Sequence, residues 1–475
     1  MTFYFFDVET SGFSPQTDRI MQFGGQRTDM DLNPIGEPDN ILIKMTADVL
    51  PQPEAILVHG ITPQKTLADG ISEAEFAKYL TAKVSTPGTV MVGFNNLRFD
   101  NKFIQFILWR NFYDPYEWSW KDDRSTWDLL DLVRMTRALR PDGIKWPFAP
   151  DGKPSNRLEY LSAVNKLDHV DAHDALSDVN ASIALARLVK SKQPQLFDYL
   201  FKHRSKREVA PLVLSKKPFI YTSGKYPSDW EKTTVVSAIA LVPNREAALV
   251  YDLRIDPDEF KDFSAEQLAE RWSAYGPDAP YFPVKELVFN KSPAVVAELG
   301  VLYKPKDTLE RLQLRMELIN SHYKKLQAVD GFGEKFIKAL EIRRPKRQPE
   351  IIADPQKVDA QLYDGFVKDD DKTKMSVVRA AKPEELYNLD LEFKDERLKL
   401  LTPLYKARNF PKFLSQTEQI NWEKFRQTKL LASNAAGDFF SRLEELAKTP
   451  GMDGEKQYLL EELNLYAQSI MPMSD

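Results

Sequence analysis

Apolar and polar positions along the first hundred residues alternate in a way that predicts a short-stranded sheet. Residues 3–8 are aromatic or β-branched except for Asp7, as a buried strand requires. Further strands are expected at residues 20–25, 41–44 and 90–94, with a rigid Leu50-Pro51-Gln52-Pro53 loop between the last two. After the fourth strand comes an Asn95-Asn96 turn, and then Phe103, Ile104, Ile107 and Leu108 recur at helical spacing. That places Asp100 in the first turn of a helix or just before it, where acids are favoured. A second amphipathic helix is expected from Asn156-Arg157-Leu158-Glu159, and Val179, Ile183 and Ala186 mark a third.

Beyond Pro194 the pattern changes. Residues 218–221, 233–242 and 247–253 read as strands, and helical spacing returns at 265–274 and 309–328. A charged, proline-punctuated stretch, Arg343-Arg344-Pro345-Lys346-Arg347, reads as a linker. From about residue 356 onward nearly every segment has helical periodicity, for example Leu398, Leu401, Leu404 and Tyr405. The expected organisation is three domains: 1–193 α/β, 194–347 α+β with a small β-core, and 350–475 all helical.

Composition narrows the chemistry. The 475 residues are 43% hydrophobic and 28% charged, which suits a folded chain too long for one core. Without a cysteine there is no disulfide, thiol nucleophile or Cys-ligated metal. A net charge of −5 leaves nucleic-acid contact to local basic patches. One such patch holds Arg187, Lys190, Lys192, Lys202, Arg204, Lys206 and Arg207 against a single acid, Asp198. Another interleaves Trp109, Tyr116, Trp118, Trp120 and Trp127 with Arg110, Lys121, Arg124 and Arg134, a mixture that can stack bases and contact phosphates. The N-terminus lacks the pattern of a signal peptide and the longest apolar run, 235–242, is too short to span a bilayer, so a cytoplasmic protein without membrane contact is expected.

Asp7 and Glu9 lie two apart on the first strand and so project from one face. Two carboxylates so held repel one another unless a cation lies between them, and hard oxygen donors suit Mg²⁺ or Mn²⁺. Asp100, His173 and Asp178 are the candidate partners. His173 and Asp178 would stand roughly 140° apart on one continuous helix, so His173 is placed in the preceding loop and Asp178 inside the helix. Four carboxylates at strand ends and helix starts of an α/β sheet can hold two divalent metals roughly 3.5–4 Å apart around a phosphodiester. A neighbouring histidine can take the proton of an attacking water. No nucleophile elbow, P-loop or dinucleotide fingerprint competes with this set. Among the other histidines, His59, His169 and His322 read as structural or surface residues, and His203 as surface or phosphate-contacting.

Asp7-Val8-Glu9-Thr10, Asn95-Asn96-Leu97-Arg98-Phe99-Asp100 and His173-Asp174-Ala175-Leu176-Ser177-Asp178 resemble, in order and spacing, the three motifs of DEDD 3′–5′ exonucleases of the histidine subclass. The likeness extends to the bacterial exonuclease I family through Arg110-Asn111-Phe112-Tyr113-Asp114-Pro115-Tyr116, Trp127-Asp128-Leu129-Leu130-Asp131, Asp359-Ala360-Gln361-Leu362-Tyr363-Asp364-Gly365-Phe366 and Tyr405-Lys406-Ala407-Arg408-Asn409-Phe410-Pro411. Residues 205–350 and the last 60 or so are less alike, and Phe13 to Arg19 depart from the family's composition.

That resemblance implies an RNase H-like exonuclease domain, an SH3-like domain and a helical domain. It implies processive, Mg²⁺-dependent 3′–5′ hydrolysis of single-stranded DNA to 5′-mononucleotides by a monomer acting in DNA repair and recombination. By motif, Asp7 would bridge two Mg²⁺ ions (Mn²⁺ substituting), Glu9 and Asp178 would complete one site, Asp100 would support the other, and His173 would be the general base. Arg157, Tyr116, Trp120, Arg134 and Lys206 match positions along the DNA, and Glu9 also faces the substrate. Arg140 and Tyr199 match a pocket for the acidic C-terminal tail of single-stranded-DNA-binding protein. The three motifs alone leave an RNA-trimming exonuclease of the same superfamily open. A non-catalytic adaptor would be marked by loss of an acid, and all four are present.

Overall fold

In the computed structural model, which describes residues 1–167, 174–276, 278–344, 352–386, 389 and 391–472, the first strand is central to its sheet. Strand β1 (Thr2–Thr10) pairs antiparallel with β2 (Ile20–Thr28) and parallel with β4 (Thr89–Gly93), while β3 (Asp39–Leu42) lies outside β2. The expected strands are all found, each within a few residues of its predicted limits. Alternation sends Tyr4, Phe6 and Val8 into one core with Phe23, Phe76, Phe103 and Trp118. The opposite face carries Phe3 and Phe5, both buried, followed by Asp7 and Glu9.

The chain folds into two compact units that do not follow sequence order. The first gathers Met1–Ser125, Val170–Asn180 and Pro349–Asp475; the second holds Thr126–His169 and Ala181–Gln348. In the first unit, the helices of the C-terminal stretch pack on residues from the start of the chain. Val358, Leu398 and Leu401 share a core with Phe106, Trp109 and Phe112, while Leu463 and Tyr466 share one with Met21 and Ile56. Burial of such side chains contributes roughly 1.5–3 kcal/mol each.

The second unit contains a five-stranded antiparallel sheet, in spatial order Ala294–Val296, Phe219–Thr222, Thr233–Leu241, Ala247–Asp252 and Val284–Val288. The last two strands of the chain order were not visible in the apolar pattern, because each is short and one carries Lys285 and Glu286. The helix expected at 309–328 is two helices, Thr308–Arg311 and Met316–Ala328, split where Gln313 takes a positive φ of 53°. The α/β, then α+β, then helical sequence of elements is as expected. Among the described residues no helix is long and apolar enough to cross a membrane.

Candidate active site

The site is assembled where β1 outruns its parallel neighbour. Pairing with β4 ends at Phe5–Val92, yet β1 continues to Thr10. Beyond that point Val8 donates its backbone N–H to the Asp100 carboxylate at 3.3 Å, so a side chain stands where a strand would have been. Asp100 is buried at the first position of the helix Asp100–Arg110. The preceding turn is tight: a Cβ on Gly93 would fall 2.6 Å from Cβ of Asn96, and Asn95 has a φ of 68°. Asn96, fully buried, donates from Nδ2 to Asn101 and accepts the Asn101 N–H at its carbonyl. The Asn-Asn pair thus turns the chain sharply enough for Asp100 to face β1.

Asp178 arrives from the other side. Asp174 caps the helix Ala175–Lys192, accepting the Ser177 N–H at 3.0 Å. Gln22 on β2 donates to Asp174 at 2.7 Å and accepts the Ala175 N–H at 3.2 Å, tying this helix start to the sheet. Gly24, directly across from Asp7, has no side chain, and a Cβ there would lie 2.5 Å from the Ala175 carbonyl carbon. The helix therefore descends onto the strand at a spacing that only a glycine permits. Asp7, Glu9 and Asp178 end with carboxylate oxygens all within 4.8 Å of one another.

The electrostatics are one-sided. Burial, then Asp100, Glu9, Asp178 and Asp174, raise the Asp7 carboxyl well above its usual range. Burial, then Asp178, Asp100 and Asp174, push Glu9 up to about 9. Among the described residues, the neighbouring charges acting on either group are all negative. A partly buried set of hard oxygen donors that cannot all ionise alone fits a divalent cation, whose charge would reverse the penalty.

Other predicted site residues are found in both units. His173 and His169 lie outside the described residues. Tyr116 and Trp120 belong to the first unit; Tyr116 is half-buried with its ring 6.2 Å from Phe366, and Trp120 is 62% exposed. Arg157, Arg134, Lys206, Arg140 and Tyr199 belong to the second unit. Arg157 extends into solvent beside Glu159, Arg134 is paired with Asp131 at 2.7 Å, and Lys206 with Glu246. Arg140 donates to the carbonyls of Val301 and Lys304, and the Tyr199 hydroxyl meets the Ala297 backbone, so both converge on one segment. His203 stacks on Tyr199 with ring centres 3.9 Å apart. His59 bridges the Thr10 carbonyl and the Ile61 N–H, a structural role as read from the sequence. For His322 the structure supplies an acidic neighbour that the sequence did not suggest, Asp256 at 3.8 Å.

Sequence reasoning missed Gln22, Gly24 and Asp174 as positioning residues. Their signal was present only as a polar residue and a glycine at alternate positions of β2, and as the acid four before Asp178.

Three carboxylates converge at the end of a mixed sheet with Asp100 beside them, and residues 4–186 match the Exonuclease family model. Residues 204–341 match the Exonuclease I SH3-like domain and 356–470 the Exonuclease I C-terminal domain. The chain is 40% identical over 476 residues to exodeoxyribonuclease I of Escherichia coli K12, covering 99% of this chain and 98% of that one. It is similar also to the crystal structure of E. coli exonuclease I with a dA16 oligonucleotide (39% identity, TM-score 0.93, 99% and 100% of the two chains). A crystal structure of SSB/exonuclease I with an inhibitor aligns with TM-score 0.89 at 38% identity over 99% of each chain. The chain belongs to the bacterial exonuclease I family of the DEDD exonuclease superfamily. It is a nuclease with an RNase H-like exonuclease domain followed by SH3-like and helical C-terminal domains.

Proposed function

We propose that this protein degrades single-stranded DNA processively from its 3′ end, releasing 5′-mononucleotides, with two Mg²⁺ ions held at the acidic site and Mn²⁺ able to replace them. The observation that carries this reading is the convergence of Asp7, Glu9 and Asp178 within 4.8 Å, closed by Asp100 and, among the described residues, balanced by no cation acting on Asp7 or Glu9. Asp7 would contact both metals, Glu9 and Asp178 would complete one position, and Asp100 would support the other. Metal ions bound there supply charge stabilisation for the phosphodiester and lower the pKa of water.

The chain's own groups do the rest. The β1 backbone and the capped helix start fix the carboxylates, so little reorganisation is needed as charge develops. His173 takes the proton of the water whose oxygen attacks phosphorus. The bond between phosphorus and the 3′ oxygen of the shortened strand breaks, that oxygen takes up a proton from solvent, and the phosphate stays on the 5′ oxygen of the released nucleotide. Trp120 offers an exposed ring for base stacking, and Tyr116, Arg134, Lys206 and Arg157 contact the strand. Arg140 and Tyr199 form the pocket for an acidic protein tail, that of single-stranded-DNA-binding protein. The protein acts as a cytoplasmic monomer in repair and recombination, with domains at 1–193, 194–347 and 350–475.

Single-stranded, 3′-recessed and duplex DNA, each with Mg²⁺ and with EDTA, test the reading. Mononucleotides are expected from the single strand with Mg²⁺ only, and unlabelled RNA of equal length should compete poorly. Release in EDTA would refute the metal assignment, and preference for RNA would shift the substrate to the second class.

A further inference from the structure

Five acids act at the site, and one of them is committed elsewhere. Asp174 adds its charge to those acting on Asp7 and Glu9. Both of its oxygens nevertheless have partners: Oδ1 accepts from Gln22 Nε2 at 2.7 Å, and Oδ2 from the Ser177 N–H at 3.0 Å. It lies outside the group Asp7, Glu9 and Asp178 that could share an ion. A carboxylate so engaged is a fastener rather than a ligand. What it fastens is the turn that carries Asp178, whose N–H donates to the Asp174 carbonyl at 3.0 Å.

Gln22 is the other half of this fastening. It lies directly across from Glu9, so the two side chains rise on one face of the sheet, and it is only 4% exposed. The Ala175 N–H, 3.2 Å away, can only donate, so the atom facing it is Oε1, which turns Nε2 toward Asp174. The second hydrogen of Nε2 goes to Asn40 Oδ1 at 2.9 Å, on the edge strand β3. Both hydrogens and the oxygen of the amide are thus used in a single orientation. Gly24, two residues along, lets the helix approach; Gln22 fixes how its first turn is held. Residues of similar length cannot do the same. Glutamate would keep the acceptor but set a second carboxylate against Asp174, and methionine would lose all three bonds.

We propose that Asn40, Gln22 and Asp174 form a positioning relay that sets the affinity of the site for its divalent metal through Asp178. This rests on the metal-dependent reading of the acidic site and adds what holds its one ligand from outside the first strand. Asp7 and Glu9 both come from β1, whereas Asp178 comes from the helix Ala175–Lys192, so the site is only as well formed as that helix start is fixed. Outer partners that orient metal ligands typically carry 10- to 100-fold in metal affinity. Asn40 is exposed, so its side chain can be removed without opening a core.

The test is metal binding to the DNA-free protein, with Mn²⁺ as the probe and the paramagnetic resonance of the free ion as the readout. The Mg²⁺ dependence of nucleotide release is measured beside it. Gln22→Met is expected to weaken Mn²⁺ binding by about 10- to 100-fold and to raise half-saturating Mg²⁺ by a similar factor, with kcat at saturating Mg²⁺ much less affected. Asn40→Ala should weaken binding by about 2- to 10-fold, the worth of a single hydrogen bond. Asn40→Asp keeps the accepting oxygen and should bind at least as tightly as the native protein. A merely structural role would lower the melting temperature in EDTA and leave Mn²⁺ affinity unchanged, and that result for Gln22→Met overturns the relay. Native affinity in Asn40→Ala overturns it too, and decides alone should Gln22→Met fail to fold. If the native protein binds no Mn²⁺, the metal reading falls and the relay with it.

Discussion

The first unit contains two clusters of buried or partly buried carboxylates, and they are built on opposite rules. At Asp48, Glu73 and Asp359 burial pushes the carboxyls up, but Arg408, Lys429, Arg19 and Arg110 outweigh it and hold all three below the usual carboxylate range. Arg408 reaches both Asp48 and Asp359 at 2.8 Å, and Arg110 grips Glu73 through Nε at 3.2 Å and Nη2 at 2.6 Å. At Asp7 and Glu9, burial and the like charges of Asp100 and Asp178 act in the same direction. The contrast separates scaffold from function. Where the fold needs charge, it brings the counter-charge with it; at the site of the chemistry, the described residues bring only like charge.

Substitutions at the two clusters should therefore fail in different ways. Asp7→Asn is expected to abolish nucleotide release while raising thermal stability in EDTA by on the order of 1 kcal/mol, the worth of about one pKa unit. Calorimetry beside a nuclease assay checks both, and a lowered midpoint would break the repulsion account. Asp359→Asn should do the reverse, leaving Arg19 and Arg408 short of a partner and costing about 3–5 kcal/mol. Urea unfolding should show that loss equally with EDTA and with Mg²⁺.

The smallest effect is in pH. A depressed carboxyl stabilises the fold above its unfolded pKa near 4, and that contribution is lost as pH falls toward its lower folded value. Asp48, Glu73 and Asp359 therefore make the protein acid-labile. A raised carboxyl acts oppositely: with Glu9 pushed up to about 9, stability in EDTA should decline between roughly pH 4 and 9. Mg²⁺ must displace that proton, so its stabilising shift in Tm, a few degrees, should be larger at pH 8.5 than at pH 6. A metal-induced shift independent of pH would contradict the one-sided electrostatics.

Much of the acidic site was legible in the sequence because its logic is local. Alternation on β1 puts Asp7 and Glu9 on one face, and a strand, an Asn turn and a helical spacing locate Asp100. Gln22 and Gly24 were read only as strand residues, since their roles come from cross-strand register and from a helix 150 residues away. The second cluster left no local trace. In the sequence Arg19 only ends a stretch that departs from the family's composition and Asp359 only opens one that resembles it; their pairing depends on which distant segments share a core. Patterning reports which way a side chain faces, and only tertiary packing reports what it meets.

The Arg19–Asp359 bond also sets a clock on the molecule's birth. The two residues are separated by 340 positions, so at ribosomal speeds of about 5–20 residues per second Arg19 is made roughly 20–70 s before its partner. Once Asp178 has been made, and for the rest of that interval, the nascent chain has the acids of its future active site but not the C-terminal cores that complete the unit around them. Maturation of the nuclease is therefore a late, post-release event, and truncated chains should reach the cell with their first strand made and their folding unfinished.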